Sequence, residues 1–200
     1  MEVGKTARGY DALAPFWADR HRDSGYGVKQ LERAIGFSLK KGKALDVGCG
    51  SSGRFMRVLL AAGYEVEGMD CSAEMLKLAK LELPECGYFQ GDIASCDLSD
   101  SYAFISAWDS TFHLPLAGQE PALKTMCEAL RQGGILIYTF GGVSDAGEIS
   151  GGFEGQDFEY SSLGLSRNLE LIAEFGCECL HLEFDQGPGE GHVYLIARKK

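Results

Sequence analysis

The sequence predicts an α/β fold: a seven-stranded sheet, mostly parallel, with helices on both faces and a C-terminal antiparallel hairpin at one edge. Three observations carry that expectation. Short apolar runs alternate along the chain with segments of helical periodicity, the order that builds a parallel sheet. The first clear strand passes into a helix through a glycine-rich turn, Ala-Leu-Asp-Val-Gly-Cys-Gly-Ser-Ser-Gly from Ala44 to Gly53. The last two strand-like runs, Cys177 to Phe184 and His192 to Arg198, are joined by Asp-Gln-Gly-Pro-Gly-Glu-Gly, which reads as a hairpin.

The elements follow in order. Residues 1–42 form an N-terminal helical segment in which Tyr10, Leu13, Ala14 and Trp17 recur at helical spacing, with Pro15 either starting the helix or kinking it. That helix packs on the sheet edge or covers a site; both readings stand. Lys40, Lys41 and Lys43 read as a solvated turn. Strand one is Lys43 to Val47, and the helix after the glycine turn buries Phe55, Met56, Leu59 and Leu60 before stopping at Gly63. Tyr64 to Asp70 is strand two, and Ser72 caps a helix that turns Met75, Leu76 and Ala79 inward. Tyr88 to Gln90 is strand three and Tyr102 to Ala107 strand four. The next helix has Pro121 near its start, Leu123, Met126, Cys127 and Leu130 inside and Gly133 at its end, and Ile135 to Phe140 is strand five. Gly141 to Asp157, with six glycines, four acidic residues and no periodicity, reads as a long loop. It serves as a substrate cover, with Phe153, Phe158 and Tyr160 facing the ligand, or as a flexible insertion. A helix from Ser162 to Phe175 turns Leu165, Leu169 and Ile172 inward and stops at Gly176.

Composition bounds the function. Two hundred residues with 45% hydrophobic content suffice for one sizeable core, so residues 1–200 are expected to form one domain, residues 43–200 being its α/β core. A net charge of −10 argues against a protein that grips nucleic acid through its phosphates. No run of about eighteen apolar residues predicts a membrane span. The start, Met-Glu-Val-Gly-Lys-Thr-Ala-Arg, lacks the apolar core of a secretion signal, and a cytoplasmic location is expected. Seven cysteines with no C-x-x-C pair read as reduced thiols, and the scattered His21, His113, His181 and His192 suggest no metal site.

The glycines at 48, 50 and 53 match the dinucleotide fingerprint of oxidoreductases, a pattern that recurs in many α/β proteins. Asp46, two residues before the first glycine, adds information: a carboxylate there faces a ligand or holds the turn through its amides. With it, Leu-Asp-Val-Gly-Cys-Gly resembles the first motif of the class I S-adenosylmethionine-dependent methyltransferases, acidic-x-Gly-x-Gly-x-Gly, with Ser52 in place of the third glycine. Asp70 lies twenty residues beyond Gly50, as β-α-β geometry requires of a group that accepts from both ribose hydroxyls. The Leu-Arg-Gln-Gly-Gly-Ile-Leu-Ile stretch and the terminal hairpin resemble late features of the same family. The resemblance covers roughly residues 40–200 and implies a Rossmann-like sheet binding S-adenosylmethionine through Asp46, Gly48, Cys49, Gly50, Asp70, Cys71, Asp92, Ile93 and Trp108. In the family, an acidic residue at the position of Asp92 accepts from the adenine amino group, and an N-terminal helical segment covers the cofactor.

Trp108 to Pro115 follows strand four and should border both cofactor and acceptor, because ligands of parallel sheets sit outside the carboxyl ends of the strands. Trp108 stacks on a ligand or packs as a core indole. His113 is a candidate general base, its ordinary pKa lying near neutrality, or a hydrogen-bonded spacer. Asp109 is a carboxylate base or a turn former. The segment lacks the Asn/Asp-Pro-Pro-Tyr signature of amino-methylating DNA and protein-glutamine enzymes, which points to a small-molecule acceptor. The expected activity is in-line methyl transfer to an oxygen or nitrogen. Two alternatives are kept: an NAD(P)-dependent oxidoreductase, and a non-catalytic S-adenosylmethionine-binding regulatory domain. Acceptor and oligomeric state are not written in the sequence.

Overall fold

The computed structural model describes residues 3–99, 101–186, 189 and 191–200. Its main sheet has seven strands: β1 (Lys43–Val47), β2 (Glu65–Asp70), β3 (Gly87–Gln90), β4 (Tyr102–Ala107), β5 (Leu130–Gly141), β8 (Cys177–Phe184) and β9 (His192–Lys199). Their order is β3-β2-β1-β4-β5-β9-β8. The first five run parallel, while β9 pairs antiparallel with both β5 and β8. The chain works outward from β1 to β3 and then crosses back to lay β4 on the other side of β1. That reversal opens a crevice at the carboxyl ends of β1 and β4, the place where open α/β sheets bind ligands.

The central strands β1, β4, β5 and β9 are buried on both faces, and alternate residues feed two cores. Leu45, Val47, Ile105 and Leu136 share one with Leu123, Met126 and Cys127 of α5 (Leu116–Ala129) and Leu171 and Ile172 of α6 (Leu165–Glu174). Ala44, Phe104, Ile135 and Ile137 share the other with Leu31 and Ala34 of α2 (Val28–Gly36) and Phe55, Met56 and Leu59 of α3 (Arg54–Ala61). α4 (Ala73–Glu82) is capped by Ser72, whose Oγ accepts from Met75 N at 3.1 Å.

The N-terminal periodicity forms one helix, α1 (Val3–His21), which runs through Pro15. Asp11 docks it on the start of α4: Oδ1 accepts from Ser72 Oγ at 2.6 Å and from Glu74 N at 3.1 Å, placing a carboxylate at a helix N-terminus.

Four local expectations are corrected. Residues 141–157 are not a structureless loop, because β6 (Gly147–Phe153) and β7 (Gln156–Ser162) form a separate antiparallel hairpin. Its two-residue turn, Glu154-Gly155, has positive φ at both positions (47° and 77°), as a type I′ turn requires. Glutamate is an unusual first residue there, and glycine-rich β6 presents no alternation to read. Gly133 does not cap α5: the chain passes from Ala129 straight into β5, and Gly133 lies in the irregular stretch where the β4–β5 register shifts. α5 begins at Leu116, so Pro121 sits beyond its first turn. On α6 it is Leu171 that is buried, whereas Leu169 is exposed. Residues 187, 188 and 190 of the terminal hairpin connection lie outside the described residues. All seven cysteines are free thiols, and among the described residues no helix is long and apolar enough to cross a membrane.

Candidate active site

A cavity of about 250 Å³ occupies the crevice. The glycine turn after β1 forms its floor. Gly48 N and Cys49 N donate to Met69 O at 2.8 and 3.0 Å, and Gly50 N donates to Asp70 Oδ2 at 2.9 Å, so the turn is tied across the end of β2. Asp70 Oδ1 accepts from Ser72 N at 2.9 Å. An ionised carboxylate has about four lone-pair sites, so Asp70 keeps acceptor capacity for two hydroxyls. At the end of β3, Asp92 Oδ1 accepts from Ala94 N at 2.9 Å, and buried Ile93 beside it adds an apolar face.

Asp46 takes a different part from the one expected of a turn holder. It is buried, and its Oδ1 accepts from Ser106 Oγ at 2.6 Å, which clamps β1 to β4. Burial pushes its pKa up to about 7, against the lowering effects of the Ser106 bond and of Arg54. Burial also raises Asp70, opposed by its backbone donors.

The wall beyond β4 carries the two candidate bases. Asp109 has φ +52°, its N–H donates to Thr139 Oγ1 at 2.8 Å, and its Oδ1 lies 2.9 Å from His192 Nε2. His113 is buried, with Nδ1 3.3 Å from Glu159 O and Nε2 2.8 Å from Tyr10 Oη. A carbonyl only accepts, so Nδ1 carries the proton and Nε2 accepts from the Tyr10 hydroxyl. Burial lowers the His113 pKa to about 4, and the ring is neutral. Trp108 packs as a core indole against Phe55 and Tyr194 at centroid distances of 5.6 and 5.8 Å, and it also borders the cavity.

α1 closes the top with Thr6, Tyr10, Trp17 and His21, and Tyr26 follows from the segment before α2. Arg54, the first residue of α3, brings the guanidinium: it donates to His21 Nδ1 at 3.1 Å and lies over the rings of Tyr26 and Phe55. The buried Nε1 of Trp17, Nε of Arg54, Nε1 of Trp108 and Oγ of Ser110 have no partner, and all four residues border the cavity. Buried donors left unpaired are costly, so this donor set suits a ligand rich in acceptors.

Residues 44–134 match the family model described as methyltransferase domain. That match takes in the glycine turn, Asp70, Asp92 and the segment after β4. Of the residues singled out from the sequence, Asp46, Gly48, Cys49, Gly50, Asp70, Cys71, Asp92, Ile93, Trp108, Asp109 and His113 border this cavity, whereas Phe153, Phe158 and Tyr160 do not line it. The chain is 34% identical over 97 residues to malonyl-[acyl-carrier protein] O-methyltransferase of Pectobacterium atrosepticum, a match covering 48% of the chain and 37% of that protein. The chain thus spans less than half the length of the curated relatives it matches. Its fold is that of an S-adenosylmethionine-dependent methyltransferase from Clostridium acetobutylicum (TM-score 0.74, 13% identity, covering 95% of this chain and 98% of that one). It is also that of the S-adenosylmethionine-bound amino pentose methyltransferase CalS10 from Micromonospora echinaspora (TM-score 0.64, 19% identity, covering 100% and 98%).

Sequence reasoning missed Arg54, His21, Tyr26 and His192 as parts of this site. Arg54 carries a local signal, a cation directly after the glycine turn. The others reach the site only through packing.

Proposed function

We propose that the chain is an S-adenosylmethionine-dependent methyltransferase acting on an oxygen or nitrogen of a small-molecule acceptor, with residues 1–42 as the capping segment of a single domain. The observation that carries the reading is the convergence of the glycine turn with Asp70 and Asp92, from three successive strand ends, on one cavity covered by α1. A covered cavity suits a small acceptor better than a polymer, and relatives named for an acyl-carrier-protein O-methyltransferase and an amino pentose methyltransferase support the activity class. The free thiols fit a cytoplasmic setting.

The donor set fits the cofactor: Asp70 has acceptor capacity for the ribose hydroxyls, Asp92 for the adenine amino group, and the unpaired N–H groups offer donors to its carboxylate. When bound, S-adenosylmethionine supplies an electrophilic methyl group on a sulfonium that leaves as a neutral thioether. The protein's work is then alignment and exclusion of water, and a near-attack geometry supplies about 7 to 11 kcal/mol at best. Asp109, which borders the cavity, would take the proton that the acceptor oxygen or nitrogen gives up on methylation. Asp109 is favoured over His113 because the free nitrogen of His113 is already engaged by Tyr10. His113 instead holds Tyr10, and with it α1, against the wall.

Thermal unfolding with S-adenosylhomocysteine, S-adenosylmethionine and NADH in parallel tests this. Each sulfur ligand at a hundred times its Kd should stabilise the protein by about 2.7 kcal/mol, and the ligand-induced shift should shrink in Asp70→Ala and Asp92→Ala. A shift with NADH alone would favour an oxidoreductase and sink the proposal; binding without turnover across broad acceptor panels would favour a regulatory domain.

A further inference from the structure

His192 opens β9 and belongs to no motif, yet its ring lies between two carboxylates. Nε2 is 2.9 Å from Asp109 Oδ1, and Nδ1 is hydrogen bonded to Asp185 Oδ1. A neutral imidazole has a single N–H and could serve only one of them, leaving a nitrogen lone pair against an oxygen of the other. Both contacts are satisfied by the imidazolium.

The two carboxylates are not equivalent. The Asp185 side chain is 1% exposed and its Oδ2 has no partner, so an ionised Asp185 depends on the imidazolium for its balancing charge. Asp109 is 36% exposed and borders the cavity. Its backbone is held in the left-handed region, and both the His192 and Thr139 contacts fall on Oδ1, leaving the lone pairs of Oδ2 for a ligand. The titratable neighbours of the His192 ring are Asp109, Asp185 and Tyr26, the last with its ring centroid 6.5 Å away; Trp108 and Phe112 supply the rest of its surroundings.

We propose that His192 is a positioning residue: clamped as an imidazolium between Asp109 and Asp185, it fixes an ionised Asp109 carboxylate in the acceptor half of the cavity, which favours acceptors that bring a proton-bearing amine or hydroxyl. The inference rests on the methyltransferase reading above. Burial pulls the His192 pKa down, and the two carboxylates more than offset this, leaving it above the ordinary histidine value.

The test needs no acceptor. In nitrogen-15 spectra of histidine-labelled protein, with His192→Gln identifying the resonance, both ring nitrogens of His192 should be protonated at neutral pH, and Asp185→Asn should lower its titration midpoint. In parallel, binding is measured for S-adenosylhomocysteine and for sinefungin, whose amine-bearing carbon replaces the methylated sulfur and so presents an ammonium on the acceptor side. His192→Gln and Asp109→Asn should leave S-adenosylhomocysteine affinity within about twofold and weaken sinefungin by about tenfold, the scale of one charged hydrogen bond. A neutral His192 ring, or an unchanged ratio of the two affinities, overturns the clamp alone. Failure of the wild-type protein to bind either ligand overturns the methyltransferase reading, and the role of Asp109 with it, whatever the spectra show.

Discussion

Asp46 and His113 are buried ionisable groups of one site with opposite linkage to pH. Asp46 has a folded-state pKa of about 7 against 3.8 for the ordinary group. The folded protein therefore holds its proton more tightly than the unfolded chain, and the stability this confers is lost as pH rises from about 4 through 7. Asp46→Asn is neutral throughout and keeps an acceptor for the Ser106 hydroxyl. It should gain on the wild type progressively between pH 4 and 8, by up to about 4 kcal/mol. Melting temperatures of the two proteins across that range check this; a variant that loses ground as pH rises would show that Arg54 stabilises the ionised form more than burial penalises it. His113 acts in the other direction: its pKa of about 4 lies below the ordinary 6.5, so its contribution is complete above 6.5 and is lost as pH falls toward 4. That Asp46 would matter was legible from its place before the glycines. That it clamps β4 was not, because Ser106 lies 60 residues away.

The strand–turn–helix element owes its shape to two glycines with different constraints. Gly48 has φ +70°, and a Cβ added there would stand 2.4 Å from Ser110 Cβ; Gly50 has φ +62° with nothing within 4 Å of an added Cβ. Gly48→Ala should combine backbone strain with collision and cost about 2 to 4 kcal/mol of stability. Gly50→Ala carries the strain alone, about 1 to 3 kcal/mol, and its larger effect should be on S-adenosylhomocysteine affinity, since its open side is the cavity. Chemical denaturation and calorimetric titration of both variants separate the two; equal stability losses would mean that the Ser110 contact relaxes freely. This element was read almost residue by residue from the sequence because its determinants are local: positive-φ glycines, a capping glycine and an apolar helical stripe. The β6–β7 hairpin was not, because its turn residue is atypical and its first strand is exposed and glycine-rich, so neither turn chemistry nor burial left a pattern to see.

At the scale of the molecule, α1 lies across the cavity, held by Asp11 on the start of α4, Tyr10 on His113 and Phe158, Lys5 on Glu159, and Phe16 and Trp17 on Phe153 of the hairpin. A cover that also borders the cavity should be held more firmly when a ligand fills it. S-adenosylhomocysteine should therefore slow tryptic cleavage after Arg20 and Arg22 severalfold, and Asp11→Ala should speed it in the free protein. Equal rates with and without ligand would make α1 a fixed part of the fold. By itself the sequence determined the α/β class, the seven strands, the glycine turn and the acidic ends of β2 and β3, because each follows from short-range periodicity, backbone conformation or spacing along the chain. The tertiary structure alone decided what meets at the cavity: Tyr10 with His113 across 103 residues and His192 with Asp109 across 83. Such pairings depend on the order in which strands assemble and on antiparallel β9 lying beside β5, and a buried hydrogen bond between chain-distant groups leaves no local pattern by which it could be foreseen.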